Sequence, residues 1–143
     1  MKDDPQQRSA DGSNSGSHGL LHSLMKGMPV WRTLAILCAL ALWVMSLWPA
    51  DDLLRLGARY VNDKVGHFIG YMALAWLLSW GWPRLPGWLV WTVAFSCGVA
   101  IEIAQSFAPT RTFSWLDMLA NGSGALLGVL IAIPLWRYIT RMD

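Results

Sequence analysis

Charged side chains are scarce in this sequence. Eleven Lys and Arg and nine Asp and Glu make up only 14% of its 143 residues, where a soluble domain carries about a quarter. So few charges cannot cover a chain that is 55% hydrophobic, which excludes an ordinary water-soluble globule. The net charge of +2 is too small to recruit nucleic acid. The two cysteines, Cys38 and Cys97, lie inside apolar runs and in no CxxC spacing. Neither a disulfide framework nor a structural zinc site is therefore expected. Leu37, not a small residue, precedes Cys38, which argues against a lipid-attachment cysteine. No GxSxG nucleophile motif occurs, and no repeat of roughly 20–50 residues is visible.

What the chain does have is tryptophan, ten of them, and long apolar runs. Residues 1–28 begin as a Ser/Gly/Asp/Gln-rich stretch. That composition predicts a disordered polar tail, and its length and polarity argue against a cleaved signal peptide. Four charge-free runs follow, Thr33–Ala50, Val65–Pro83, Leu85–Ile101 and Met118–Trp136. Each approaches the ~20 residues that a helix needs to cross ~30 Å of hydrocarbon. Trp31, Trp48, Trp82, Trp88, Trp115 and Trp136 stand near run ends, where indoles anchor at the headgroups. The expected fold is all-α, a four-helix transmembrane bundle over residues 29–143, with helices at about 31–49, 64–82, 86–107 and 115–138. Pro109 is expected to stop the third.

Four spans place both termini on one side. Lys26, Arg32, Arg84, Arg137 and Arg141 flank the runs on that side; Arg55, Arg59, Lys64 and Arg111 lie on the other. A five-to-four balance under the positive-inside rule points to cytoplasmic termini, and loops at about 51–64 and 107–114 then face out.

Polar residues collect at this second side. Asp63, His67 and Tyr71 form a stripe at i, i+4, i+8 opening the second helix, beside Lys64. Glu102 and Gln105 share a face near the end of the third, and Asp117 and Asn121 share a face at the start of the fourth. Glu102 is expected roughly 7 Å below its helix end and Asn121 roughly 10 Å below its helix start. Ionisable groups at such depth cost ~2.5–3.5 kcal/mol each on insertion scales, so they face the bundle interior and pair. Ser114-Trp-Leu-Asp117 fits a helix N-cap. Asn121 continues into Gly124 and Gly128, a small-xxx-small stripe for close helix packing.

Two motifs resemble the signatures of the VanZ-like family of bacterial membrane proteins. Lys64-x-x-His67-Phe68-x-x-Tyr71-x-x-Leu74 is similar to the first. Glu102-x-x-Gln105, Pro109, Arg111, Ser114, Asp117, Asn121, Gly124 and Gly128 are similar to the second. The resemblance covers about residues 33–136 and leaves out the N-terminal tail. The family is named after a protein linked to low-level teicoplanin resistance, so the resemblance implies a role in the envelope, at the bacterial cytoplasmic membrane. It supplies no reaction.

Two classes of function stay open. In the first, the cluster is an outward-facing site for an anionic lipid- or glycan-linked ligand, such as a lipid-linked envelope precursor or a glycolipid. His67, Glu102 and Asp117 are then the candidate acid–base groups. Lys64 and Arg111 hold the anion, a guanidinium doing so as a bidentate fork. Tyr71, Gln105 and Asn121 orient the ligand. In the second, the cluster only ties the helices together in an envelope scaffold. An ion path is a weaker third, because no polar residues continue to the other helix ends. A divalent metal on His67, Glu102 and Asp117 is a weaker variant of the first class, because one histidine with carboxylates is a poor zinc signature; no metal and no cofactor is expected. Membrane lipids are the expected partners, nucleic acid is not, and the pattern sets no oligomeric state.

Overall fold

The computed structural model describes residues 15–48, 63–107 and 113–142. These form four helices: α1 (Ser15–Leu47), α2 (Asp63–Gly81), α3 (Gly87–Gln105) and α4 (Trp115–Arg141). No strand occurs among the described residues, and the all-α bundle is as expected. The short connections from α2 to α3 and from α3 to α4 make those neighbours antiparallel, and the contacts of Arg32 with Gly81 and of Gln105 with Ser46 set α1 antiparallel to α2. The end of α1, the start of α2, the end of α3 and the start of α4 therefore share one end of the bundle, called the site end below.

Three helical segments are long and apolar enough to cross a membrane: Gly27–Leu47, Gly87–Gln105 and Trp115–Arg141. The second helix, expected as a fourth apolar span, falls short of them. The helix opens on Asp63 and Lys64, and its apolar run contains His67 and Tyr71, residues of the polar stripe. It also lies against α1, α3 and α4. A helix packed on several sides presents less surface to lipid, and its His67 and Tyr71 are sheltered by protein.

Other differences are local. α1 starts at Ser15 and runs through Pro29, so residues 15–28 of the expected disordered tail are helical. Leu20, Leu21, Leu24, Met25 and Lys26 are good helix formers, and composition averaged over the whole tail hid them. Residues 1–14 of that tail lie outside the described residues. α3 ends at Gln105, with Ser106 still in right-handed helical geometry; the helix stops before reaching Pro109.

The closest packing is between α2 and α4. A Cβ added at Gly124 would overlap the Phe68 carbonyl oxygen, and one at Gly128 would overlap that of Met72. Only glycine lets the two backbones approach so closely, which is the expected small-xxx-small contact. Tyr71, Leu74, Ala75, Val90, Ala94, Ile101, Ala125 and Val129 form the apolar core behind it. At the opposite end, Trp80 meets Trp31, Trp76 and Trp136 with ring centroids 5.0, 5.5 and 5.7 Å away. Arg32 donates from Nε to the Gly81 carbonyl at 2.9 Å and lies 5.2 Å from the Trp82 ring centre. Such an aromatic and basic girdle suits a membrane interface.

Candidate functional site

Three helices deliver the polar groups to one place. His67 from α2, Glu102 from α3 and Asp117 from α4 each bring a ligand-capable atom within 4.8 Å of the others'. All three are buried: His67 is 6% exposed, Glu102 0% and Asp117 7%. Asn121, also 0% exposed, completes the cluster. Its Oδ1 lies 3.0 Å from His67 Nδ1. An amide oxygen only accepts, so His67 donates to it from Nδ1, and Nε2 is the ring nitrogen that Asn121 leaves open.

The start of α4 is capped in a shared way. Ser114 Oγ accepts from the Asp117 backbone N–H at 3.3 Å, as the N-cap spacing predicts. The Ser114 backbone N–H donates to Glu102 Oε2 at 3.0 Å. In an ordinary capping box the residue three positions on reaches back to that N–H. Asp117 occupies that position here, and Glu102 from another helix takes over the contact. The carboxylate thereby sits at the positive end of the α4 dipole. It lies three residues from the end of α3, about 4.5 Å along the axis. That is shallower than expected because α3 is shorter.

Lys64 stands at the rim, its Nζ 3.5 Å from Asp117 Oδ1 and its side chain 46% exposed. Gln105 donates from Nε2 to the Ser46 carbonyl at 2.8 Å and so ties α3 to the end of α1. This contact spends a donor that sequence reasoning assigned to a ligand. Tyr71 is fully buried, and its ring lies parallel to that of His67, with centroids 6.4 Å apart. The Tyr71 hydroxyl and Asn121 Nδ2 have no hydrogen-bond partner among the described residues. Arg111, expected to hold an anion and within ion-pair reach of Glu102, lies outside the described residues.

The four side chains of the cluster are buried. An apolar groove of about 520 Å³ runs between α3 and α4, lined among others by Trp91, Phe95, Trp115, Met118 and Leu126. Trp115 places its upper end two residues from Asp117. One positioning residue escaped sequence reasoning. Gly98 on α3 faces the Asn121 amide, and a Cβ there would come within 2.7 Å of Nδ2. The only signal was an isolated glycine in a helical run, which by itself states no partner.

The model of the VanZ/LLP1 family matches residues 7–137. No curated protein and no solved structure matches the chain.

Proposed function

This chain belongs to the VanZ/LLP1 family, and we propose that its site end is an outward-facing site for an anionic lipid- or glycan-linked ligand of the cell envelope. The observation that carries this reading is the convergence of buried His67, Glu102, Asp117 and Asn121 from three helices. A bundle already packed through Gly124 and Gly128 does not need three buried ionisable groups, and buried ionisable groups are expensive. Lys64 offers an ammonium at the rim for an anionic head group. The groove beginning at Trp115 offers an acyl chain an apolar path along the bundle. His67, with Nε2 as a base beside the Glu102 carboxylate, is arranged to move a proton on the bound ligand. The basic-residue balance supports an extracytoplasmic site, and glycopeptide sensitivity of the teicoplanin type is the phenotype that the family name points to.

A second reading has its own observation. Gln105 to Ser46 and Ser114 to Glu102 are both bonds between separate elements. A non-catalytic envelope scaffold would use the cluster in that way alone.

Native mass spectrometry of the full chain in detergent, titrated with phosphatidylglycerol and phosphatidylcholine, separates the two. The site reading expects phosphatidylglycerol to be retained in preference. Lys64→Ala loses that preference, whereas Arg137→Ala, exposed at the opposite end, keeps it. Equal retention of both lipids by the unaltered chain contradicts the reading.

A further inference from the structure

We propose that His67, Glu102 and Asp117 bind one divalent transition-metal ion, with Asn121 holding the histidine in its ligating tautomer. Thirty-five residues separate His67 from Glu102 and fifteen separate Glu102 from Asp117, so no metal spacing shows in the chain; folding alone creates the donor set.

The geometry is close to that of a metal site. The three donor atoms lie within 4.8 Å of one another. Donors about 2.0–2.2 Å from a common ion lie about 3–4 Å apart, so shifts of under about 1 Å bring them into range. Each comes from a different helix, and the helices are locked by glycine contacts, which gives a metal site rigid walls.

The second observation is the histidine's partner. Metal-ligating histidines usually give their other N–H to an oxygen acceptor, which fixes the ring and leaves the ligating nitrogen bare. Asn121 Oδ1 does this for His67 Nδ1. Gly98 leaves the Asn121 amide the room it needs. A hydrogen bond that only glued helices together could use either ring nitrogen. This one occupies Nδ1 and leaves Nε2 as the ring nitrogen open to an ion.

Charge points the same way. Two buried carboxylates this close repel unless a cation or a proton intervenes. Asp117 Oδ1 accepts no hydrogen bond among the described residues, and Lys64 approaches it to 3.5 Å. A divalent ion between them would be shared by both carboxylates. The Lys64 side chain is nearly half exposed and can move into water as the ion enters.

A mixed set of one imidazole and two carboxylates suits manganese or ferrous iron better than zinc, whose sites are richer in histidine and cysteine, and better than calcium or magnesium, which take oxygen alone. Three protein ligands leave at least one coordination position for water or a ligand oxygen. The ion site stands on this geometry alone. If the anionic-ligand reading also holds, the ion supplies positive charge in a site otherwise rich in carboxylate.

The test uses the full chain, carrying a histidine-free tag and purified in detergent without chelators. Manganese and zinc binding are measured by calorimetric titration and by metal content after desalting. One ion per chain is expected. Asp117→Asn, His67→Gln and Asn121→Ala should each weaken binding at least 10-fold, the last through the ring orientation alone. Lys64→Ala should strengthen binding, because a competing positive charge leaves. Size-exclusion profile and tryptophan fluorescence confirm folding of each variant. Fewer than 0.1 ion per folded unaltered chain at saturating metal overturns the proposal, as does equal affinity in a folded Asp117→Asn chain. Lipid retention, read separately, decides the ligand reading and not this one.

Discussion

Glu102 and Ser114 are joined across a helix boundary: the Ser114 backbone N–H donates to the Glu102 carboxylate at 3.0 Å. The third helix thus supplies part of the cap of the fourth. Ser114→Ala removes the other part, the hydroxyl that accepts from Asp117, and leaves the N–H to Glu102 in place. Loss of an N-cap hydroxyl costs about 0.5–2 kcal/mol. Unfolding in mixed micelles should show a decrease in that range, with ligand retention preserved.

Gly124 and Gly128 set the spacing of α2 and α4. An added methyl at either position meets a backbone carbonyl, which cannot rotate away as a side chain can. Gly124→Ala and Gly128→Ala should each destabilise the bundle by about 1–3 kcal/mol, the overpacking range. Gly122→Ala is the comparison, since its added methyl meets only the ring edge of Phe95 at 3.3 Å. Equal unfolding midpoints for all three variants contradict the packing assignment.

Much of the site was legible before any coordinates. The i, i+4 and i, i+3 stripes named His67, Glu102, Asp117 and Asn121 because a helix places those positions on one face, and a polar face inside an apolar run has few reasons to exist. The Ser114 cap was readable for the same local reason. What escaped depended on a partner far along the chain. Glu102 was expected within ion-pair reach of Arg111 or Lys64, and Arg111 lies outside the described residues. The bond that Glu102 accepts from the Ser114 backbone N–H is one that no residue type advertises. Gly98 was invisible because its role is the empty space it leaves for Asn121. The helical start at Ser15 escaped because averaging over a Ser/Gly-rich tail concealed a short run of helix formers. The lower apolarity of α2 was in plain view, yet its cause became clear only once α2 was seen packed against the other three helices.

Asn121 holds His67 through a buried contact, and Gly98 makes room for it. Asn121→Ala leaves the His67 Nδ1–H without its acceptor, which costs about 1–3 kcal/mol in a buried setting. Gly98→Ala should reproduce part of that loss by displacing the amide. Combined in one chain, the two changes should cost less than their sum, because they disturb one contact. A double-mutant cycle of unfolding free energies checks this, and full additivity argues against a shared role.

A narrow balance of basic residues predicts cytoplasmic termini. In a chain with Cys38 and Cys97 replaced by alanine, a cysteine introduced at position 57 should react with an impermeant maleimide added to intact cells. Cysteines at 84 and 143 should react only after lysis. The reverse pattern moves the site to the cytoplasmic face and removes extracellular ligands from consideration.

The central claim is that the buried cluster works as a site and not only as glue between helices. Glu102→Gln tests it most directly. The amide oxygen can still accept from the Ser114 N–H, while the negative charge and proton-accepting ability are lost. The variant should reach the membrane at nearly normal abundance, with stability lowered by about 1 kcal/mol, the difference between a charged and a neutral acceptor. In a strain whose glycopeptide response depends on this chain, it should fail to restore that response. Normal abundance together with full restoration would contradict the account and leave the scaffold reading in its place.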